Sequence, residues 1–193
     1  MDITSFDFWV ELLEKWMNLG ILAPFLLAML ESFIPALPLA AIITFNVTTH
    51  GGIVGFLLSY GGTLVGSILV FLFARYVLKP WLSKYLLKSK RITKLLQWIA
   101  SSDKMMLFLL TAIPFTPSSF INIGYGLSDY KQKDFILIIT VSKAIMTLSL
   151  SLFGNVLAKT LDNPWFIIPA ILLLILLYFL AKWIKSKVGF KEE

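Results

Sequence analysis

The chain has 193 residues, 58% of them hydrophobic and only 15% charged, with a mean hydropathy of +0.85. Soluble domains carry about 25% charged residues, so this composition excludes an ordinary soluble domain and points to one compact integral membrane domain. The net charge of +6 is clustered beside apolar runs, at Lys79, Lys84, Lys88, Lys90, Arg91 and Lys94 and again at Lys182, Lys185, Lys187 and Lys191; this placement suits anionic lipid and argues against nucleic acid.

Residues 3–18 place Phe6, Trp9, Val10, Leu13, Trp16 and Met17 near a 3.6-residue period, which predicts an amphipathic helix lying in the interface. Asp2, Asp7, Glu11 and Glu14 outweigh Lys15 there, so no cleavable signal peptide is expected. Leu19–Leu30 is apolar until Glu31 interrupts it. Twelve helical residues rise about 18 Å against a hydrocarbon core of about 30 Å. Leu37–Val47 is similarly short, and Pro35 and Pro38 lie between the two halves. The pair predicts a re-entrant hairpin. Gly51–Leu78 is long enough to cross and carries Gly62 and Gly66, a spacing that lets helices approach closely.

Pro80–Ala100 alternates Lys and Arg with Leu, Ile and Tyr at helical spacing, predicting a basic amphipathic helix in the interface. Met105–Ile113 and Ser118–Leu127 are again short halves, joined by a second Pro-containing phrase: "IPALP" at Ile34–Pro38 returns as "IPFTP" at Ile113–Pro117. Phe135–Leu157 and Trp165–Ile184 can both cross. Placing every basic cluster in the cytoplasm puts the first hairpin on the outer side, the second on the inner side and the C-terminus inside. The expected fold is therefore all-α and polytopic: two opposed re-entrant hairpins in an inverted repeat, about three full transmembrane helices and interfacial amphipathic helices. Its divisions are an N-terminal interfacial helix at 1–18, a membrane domain at 19–157 with hairpins near 19–48 and 105–127, and a C-terminal helix with a basic tail at 158–193. Paired broken helices often hold a transporter's substrate site near the midplane.

Pro35, Pro38, Pro114 and Pro117 lack amide donors, and the carbonyls they leave unpaired must meet protein, ions or water. They are either hairpin tips lining a hydrated cavity or packed kinks. Glu31 is the sharpest candidate: an acid in a membrane segment costs about 2.5–3.5 kcal/mol and is functional by default, and a buried carboxyl suits proton binding. Its structural alternative is an interfacial residue at a half-helix end. Lys143, nine residues into its span, either pairs with Glu31, attracts a phosphate, or snorkels to the surface. Arg75 anchors headgroups or faces the cavity. Asn46 and Asn122 follow the two proline phrases and either satisfy broken backbone or contact substrate. Thr111, Thr116, Ser118 and Ser119 add hydroxyls around the second tip, and His50 reads as interfacial. With no cysteine and one histidine, Cys-ligated zinc and thiol chemistry are excluded, and no metal or cofactor is expected. There is no G-x-S-x-G or H-E-x-x-H, and Ser118 has no evident base, so no enzyme is expected.

The blocks "ESFIPALP", "GGTLVGSILVFLFAR" and "IPFTPSSFINIGYGLSDYKQKDF", within roughly Ile21–Leu157, resemble the DedA superfamily of SNARE-associated or VTT-domain membrane proteins. The resemblance implies two re-entrant hairpins and movement of a lipid, undecaprenyl phosphate or a phospholipid, by a flippase or scramblase in a bacterial plasma membrane. Glu31 matches the acid of the family's first hairpin. A second acid near Leu39–Ala40 and arginines near Thr111 and Pro117 are absent, which places the chain beside the arginine-poor VTT-type branch. The implied partners are anionic or phosphate-bearing membrane lipids; proton coupling and a homo-oligomer stay open. A non-transporting membrane scaffold is the competing expectation.

Overall fold

The computed structural model describes residues 20–35, 37–86, 89–113 and 116–162. The predicted N-terminal helix, Pro114, the span at 165–184 and the C-terminal basic cluster lie outside them. All regular structure among the described residues is helical: α1 (Leu22–Glu31), α2 (Leu39–His50), α3 (Gly52–Phe73), a π-turn (Ala74–Leu78), α4 (Lys79–Leu86), α5 (Lys90–Ala100), α6 (Lys104–Ala112), α7 (Ser118–Leu127) and α8 (Gln132–Asp162).

The repeated phrase is written into the backbone twice. Pro38 is extended, with φ −79° and ψ 90°, and α2 starts immediately after it. Pro117 is also extended, with φ −64° and ψ 103°, and α7 starts immediately after it. A proline cannot donate into a preceding helical turn and disfavours helix in the residue before it, so each keeps the chain ahead of it out of the helix and sets where the next one starts. Each pair then doubles back. Asn46 of α2 donates to the Pro24 carbonyl of α1 at 3.3 Å. Tyr125 of α7 shares a 2.9 Å hydrogen bond with Ser102, just before α6.

Three glycines, one at a turn and two at close approaches, fix how the first pair sits on α3. Gly51, at φ 81°, turns α2 into α3 within one residue, a conformation that suits only glycine without strain. A Cβ at Gly62 would collide with the Phe25 carbonyl, and one at Gly66 with the Met29 carbonyl. The spacing therefore brings α1 alongside α3 in the same direction, backbone against backbone. Because α3 passes through the π-turn into α4, one continuous apolar helix runs Gly52–Ser83, 32 residues. At 1.5 Å per residue it is about 48 Å long, so its basic end extends past a 30 Å hydrocarbon layer. A second candidate span covers Gln132–Phe153 in α8, and α8 itself continues to Asp162, past the expected division at residue 157.

The two long helices run antiparallel. Tyr60 donates to the Thr140 carbonyl at 3.1 Å, while the Phe71 and Phe135 rings stack with centroids 3.9 Å apart. α6 runs parallel to α8, tied by Lys104 to Asp134 at 2.8 Å and by Thr111 to Ser142 at 2.6 Å. The open end of the α1–α2 pair therefore lies at the Gly51 end of α3. That of the α6–α7 pair lies at the opposite, basic end, where Lys79, Lys104 and Asp129 cluster.

Outward faces are apolar, and inward faces mix apolar and polar side chains. Leu137, Val141, Ile145, Leu148 and Leu152 form one exposed stripe on α8, and Leu57, Val65, Leu69 and Phe73 another on α3. Ser59, Thr63, Ser67, Ser142 and Thr147 are buried on the same helices, beside Phe71, Phe135 and Ile139. Large apolar stripes exposed while hydroxyls are buried are unlike a water-soluble domain and match helices that face lipid.

The expected single amphipathic helix over Pro80–Ala100 is two helices, α4 and α5. The Ser89 hydroxyl caps α5 by accepting from Ile92 N–H at 3.5 Å, because a β-region Ser provides an acceptor for an orphan first-turn donor. α5 buries no residue and leaves Leu95 and Trp98 exposed.

Candidate functional site

Both helix breaks land halfway along the long helices. Ser32, the residue after α1, donates to the Thr63 carbonyl and lies 3.3 Å from the Ser67 hydroxyl, near the middle of Gly52–Ser83. Thr111, the penultimate residue of α6, meets Ser142 near the middle of Gln132–Phe153. The breaks also touch. Ser118, the first residue of α7, donates its hydroxyl to Glu31 Oε1 at 2.8 Å, across 87 residues of sequence. Glu31 is 5% exposed and Ser118 4%, so the contact is inside the domain.

Lys143 lies beside this contact. It is fully buried, within electrostatic reach of Glu31, and its Nζ has no hydrogen-bond partner among the described residues; neither does Glu31 Oε2. A buried acid and a buried amine thus share one region without a direct ion pair, each with bonding capacity to spare. Such groups are costly unless something completes them. Apolar clusters pack beside the site on either side: Ile43, Val47, Met146 and Leu150 toward Gly51, and Phe71, Leu107, Tyr125 and Phe135 toward the basic end.

The other predicted site residues separate. Asn46 is fully buried and spends its amide donor on Ser59 Oγ at 2.9 Å and on the Pro24 carbonyl, closing the first helix pair, with Oδ1 left over. Asn122, one turn beyond Ser118, is fully buried with neither amide atom partnered among the described residues. Arg75 does not reach the centre. Its guanidinium donates to the Tyr125, Gly126 and Ser128 carbonyls at the C-terminal end of α7, at 3.1, 3.3 and 2.9 Å, and lies 4.5 Å over the Phe71 ring. The π-turn makes this reachable, and Gly126, where a Cβ would strike Ala74, lets the two backbones meet. Pro35, Pro38 and Pro117 are exposed on the outer edge of the breaks, as are Phe33, Ile34 and Ile113, so the proline rings do not line the buried centre. His50 shares a 2.7 Å bond with Thr49 at the Gly51 end.

Ser32, Ser59, Ser67, Ser142, Thr147 and Ser151 were not predicted. Their signal is present: small polar residues at i, i+4, i+8 in an apolar helix, as in Ser59–Thr63–Ser67 and Lys143–Thr147–Ser151. Among the described residues no group of His, Cys, Asp and Glu could hold a metal ion.

Most of these features, though not α1, Glu31 and Ser32, fall inside a segment that matches a known family: residues 34–156 fit the VTT domain. The chain belongs to the VTT-domain (DedA) family. Its relatives include an uncharacterized membrane protein, YhjE, of Bacillus subtilis (strain 168), 33% identical over 172 residues that cover 89% of this chain and 83% of that one. Another is an uncharacterized protein, YqeD, of the same strain, 27% identical, covering 76% and 78% of the two chains. No solved structure matches it significantly. Membership agrees with the apolar exterior: this VTT-domain chain is a helical membrane protein.

Proposed function

We propose that this VTT-domain protein moves the headgroup of a membrane lipid, a phospholipid or a polyprenyl phosphate, between leaflets as a flippase or scramblase. The observation that supports it is the Glu31–Ser118 contact, which joins two helix breaks at the middle of both long helices. In this reading α1–α2 and α6–α7 are re-entrant hairpins entering from opposite sides as an inverted repeat, and the shared centre receives the headgroup. Irregular backbone at membrane depth is tolerated where it lines such a site. The exposed edge of each break, with Phe33, Ile34, Pro35 and Ile113, leaves a lateral way in, so lipid tails stay in the bilayer. Lys143 attracts an anionic phosphate. Glu31 either receives a proton or offers its carboxylate to the cargo. The basic end, carrying Lys79, Lys90, Arg91, Lys94 and Lys104, faces the cytoplasm of a bacterial plasma membrane.

The test is a leaflet-exchange assay in liposomes carrying fluorescent anionic or zwitterionic lipid. Exchange well above protein-free liposomes for at least one lipid supports the reading, and exchange equal to protein-free liposomes for all of them refutes it. A second reading, a non-transporting membrane scaffold, draws on α5, whose exposed Ile92, Leu95 and Trp98 suit a bilayer surface or a partner helix. It predicts that Glu31→Gln leaves cellular function intact.

A further inference from the structure

Unpartnered buried polar groups are distributed unevenly. On α3 the row Ser59, Thr63 and Ser67 is fully buried and hydrogen-bonded: Ser59 to Asn46, Thr63 to its own helix, Ser67 to Ser32. α8 carries a row of the same spacing, Lys143, Thr147 and Ser151, also buried, and none of its three polar ends has a partner among the described residues. Four residues make about 1.1 helical turns, so the three share one face. They run about 12 Å, from Lys143 toward the Gly51 end. On α7 the buried groups Ser119 and Asn122 are likewise unpartnered. They run the other way, from Ser118 toward the basic end, where α7 finishes against Arg75.

Each such group is costly if nothing completes it. Native proteins tolerate few of them, and ordered water is the usual partner where the site is polar. Here most of them form two lines that leave the Glu31–Lys143 centre in opposite directions; outside the centre and these lines only Asn46 Oδ1 and the Tyr130 hydroxyl are likewise unpartnered among the described residues.

We infer that the Lys143–Thr147–Ser151 row and the Ser119–Asn122 row are two hydrated half-paths, which admit water and small hydrophilic solutes to the centre from the Gly51 end and from the basic end respectively. The α8 row begins at Lys143, the one basic group on either row, so its inner end suits an anion. The α7 row offers only neutral groups. If the lipid reading is right, these rows are where a phosphate headgroup exchanges its hydration shell for hydroxyls and amide. The half-paths themselves stand on the side-chain pattern alone.

The chain has no cysteine, so each introduced thiol is the sole one. Thr147→Cys, Ser151→Cys and Asn122→Cys are treated in oriented membrane vesicles with a membrane-impermeant anionic methanethiosulfonate. Leu148→Cys and Val141→Cys, on the exposed apolar stripe of α8, are the controls. Thr147→Cys and Ser151→Cys should react at least tenfold faster than the controls, and only from the Gly51 side; Asn122→Cys should react only from the basic side. Rates equal to the controls, or all three reacting from one side, overturn the inference. Hydroxyl-radical footprinting of the unaltered protein covers misfolded variants: oxidation of 143–151 with protection of 59–67 agrees, and equal protection overturns it. Labelling without lipid exchange leaves the half-paths and removes the transport reading, whereas exchange without labelling does the reverse.

Discussion

Arg75→Ala separates a structural from a cargo-binding role. In the structure the guanidinium holds the C-terminal carbonyls of α7 through three donated bonds of 2.9 to 3.3 Å. A hydrogen bond from a charged donor contributes about 1.5–3 kcal/mol. Arg75 is only half-buried and its Gly126 bond is long, so the lower figure applies to the other two, giving roughly 3 kcal/mol. A cation at a helix C-terminus adds about 0.3–1 kcal/mol. For a chain of this size 1 kcal/mol moves Tm by about 2–4 °C, so Arg75→Ala should melt roughly 10 °C below the parent. Arg75→Lys keeps the charge but loses the planar fork and should recover about half. The assay is tryptophan-fluorescence melting in detergent beside leaflet exchange at a temperature where both proteins are folded. Exchange per folded molecule should stay within about twofold, since ΔΔG here acts on α7 anchoring rather than on the centre. An unchanged Tm with abolished exchange would refute the reasoning and return Arg75 to the cargo path.

Gly62→Ala and Gly66→Ala each drive a methyl into an α1 carbonyl and should cost about 1–3 kcal/mol, read as lower Tm. Gly61→Ala meets only the Phe25 ring, at 3.3 Å, and should leave Tm unchanged or raise it. Glu31→Gln keeps an acceptor for the Ser118 hydroxyl while removing the charge, so it should fold normally and slow leaflet exchange at least about tenfold, the equivalent of 1.4 kcal/mol in the barrier; an unchanged rate supports the scaffold reading. Lys79, bonded to Asp129 at 2.7 Å, holds that carboxyl below the usual carboxylate range, first by the hydrogen bond and then by its charge. Its stabilisation is therefore full above about pH 3.9 and is lost as pH falls through the lower folded value. The Asp129 side chain is 89% exposed, so the pair contributes at most about 1 kcal/mol. Asp129→Asn should lower Tm slightly at neutral pH, and the difference should shrink as pH falls below the ordinary carboxylate range or as salt rises, as measured by melting across pH.

Much of the helical layout was legible because it is local. Ser118–Leu127 was placed to the residue, since Pro117 and Ser128 bound it, and the first pair was misplaced only at its ends, where Glu31 completes α1 instead of interrupting it. Pro80–Ala100 was read as one helix because its period runs on past the start of α5, which only the cap Ser89 marks. The site was legible as a set of residues but not as a geometry. Glu31 and Ser118 were both singled out, yet nothing local links positions 87 residues apart; α3 and α8 bring them together by packing against both pairs. Arg75 was read against lipid or cavity, because a π-turn that aims it at α7 leaves no sequence signature. Thr147 and Ser151 passed as ordinary hydroxyls until burial showed that nothing described completes them.

The central claim is that the two breaks meet in one site. Glu31→Cys/Ser118→Cys, bearing a protease site at the exposed Ser101 turn, is treated in native membranes with a short bifunctional thiol reagent and then cleaved. The two halves should remain covalently joined, in contrast to a Glu31→Cys/Leu148→Cys control. Halves that separate as completely as the control would contradict the account.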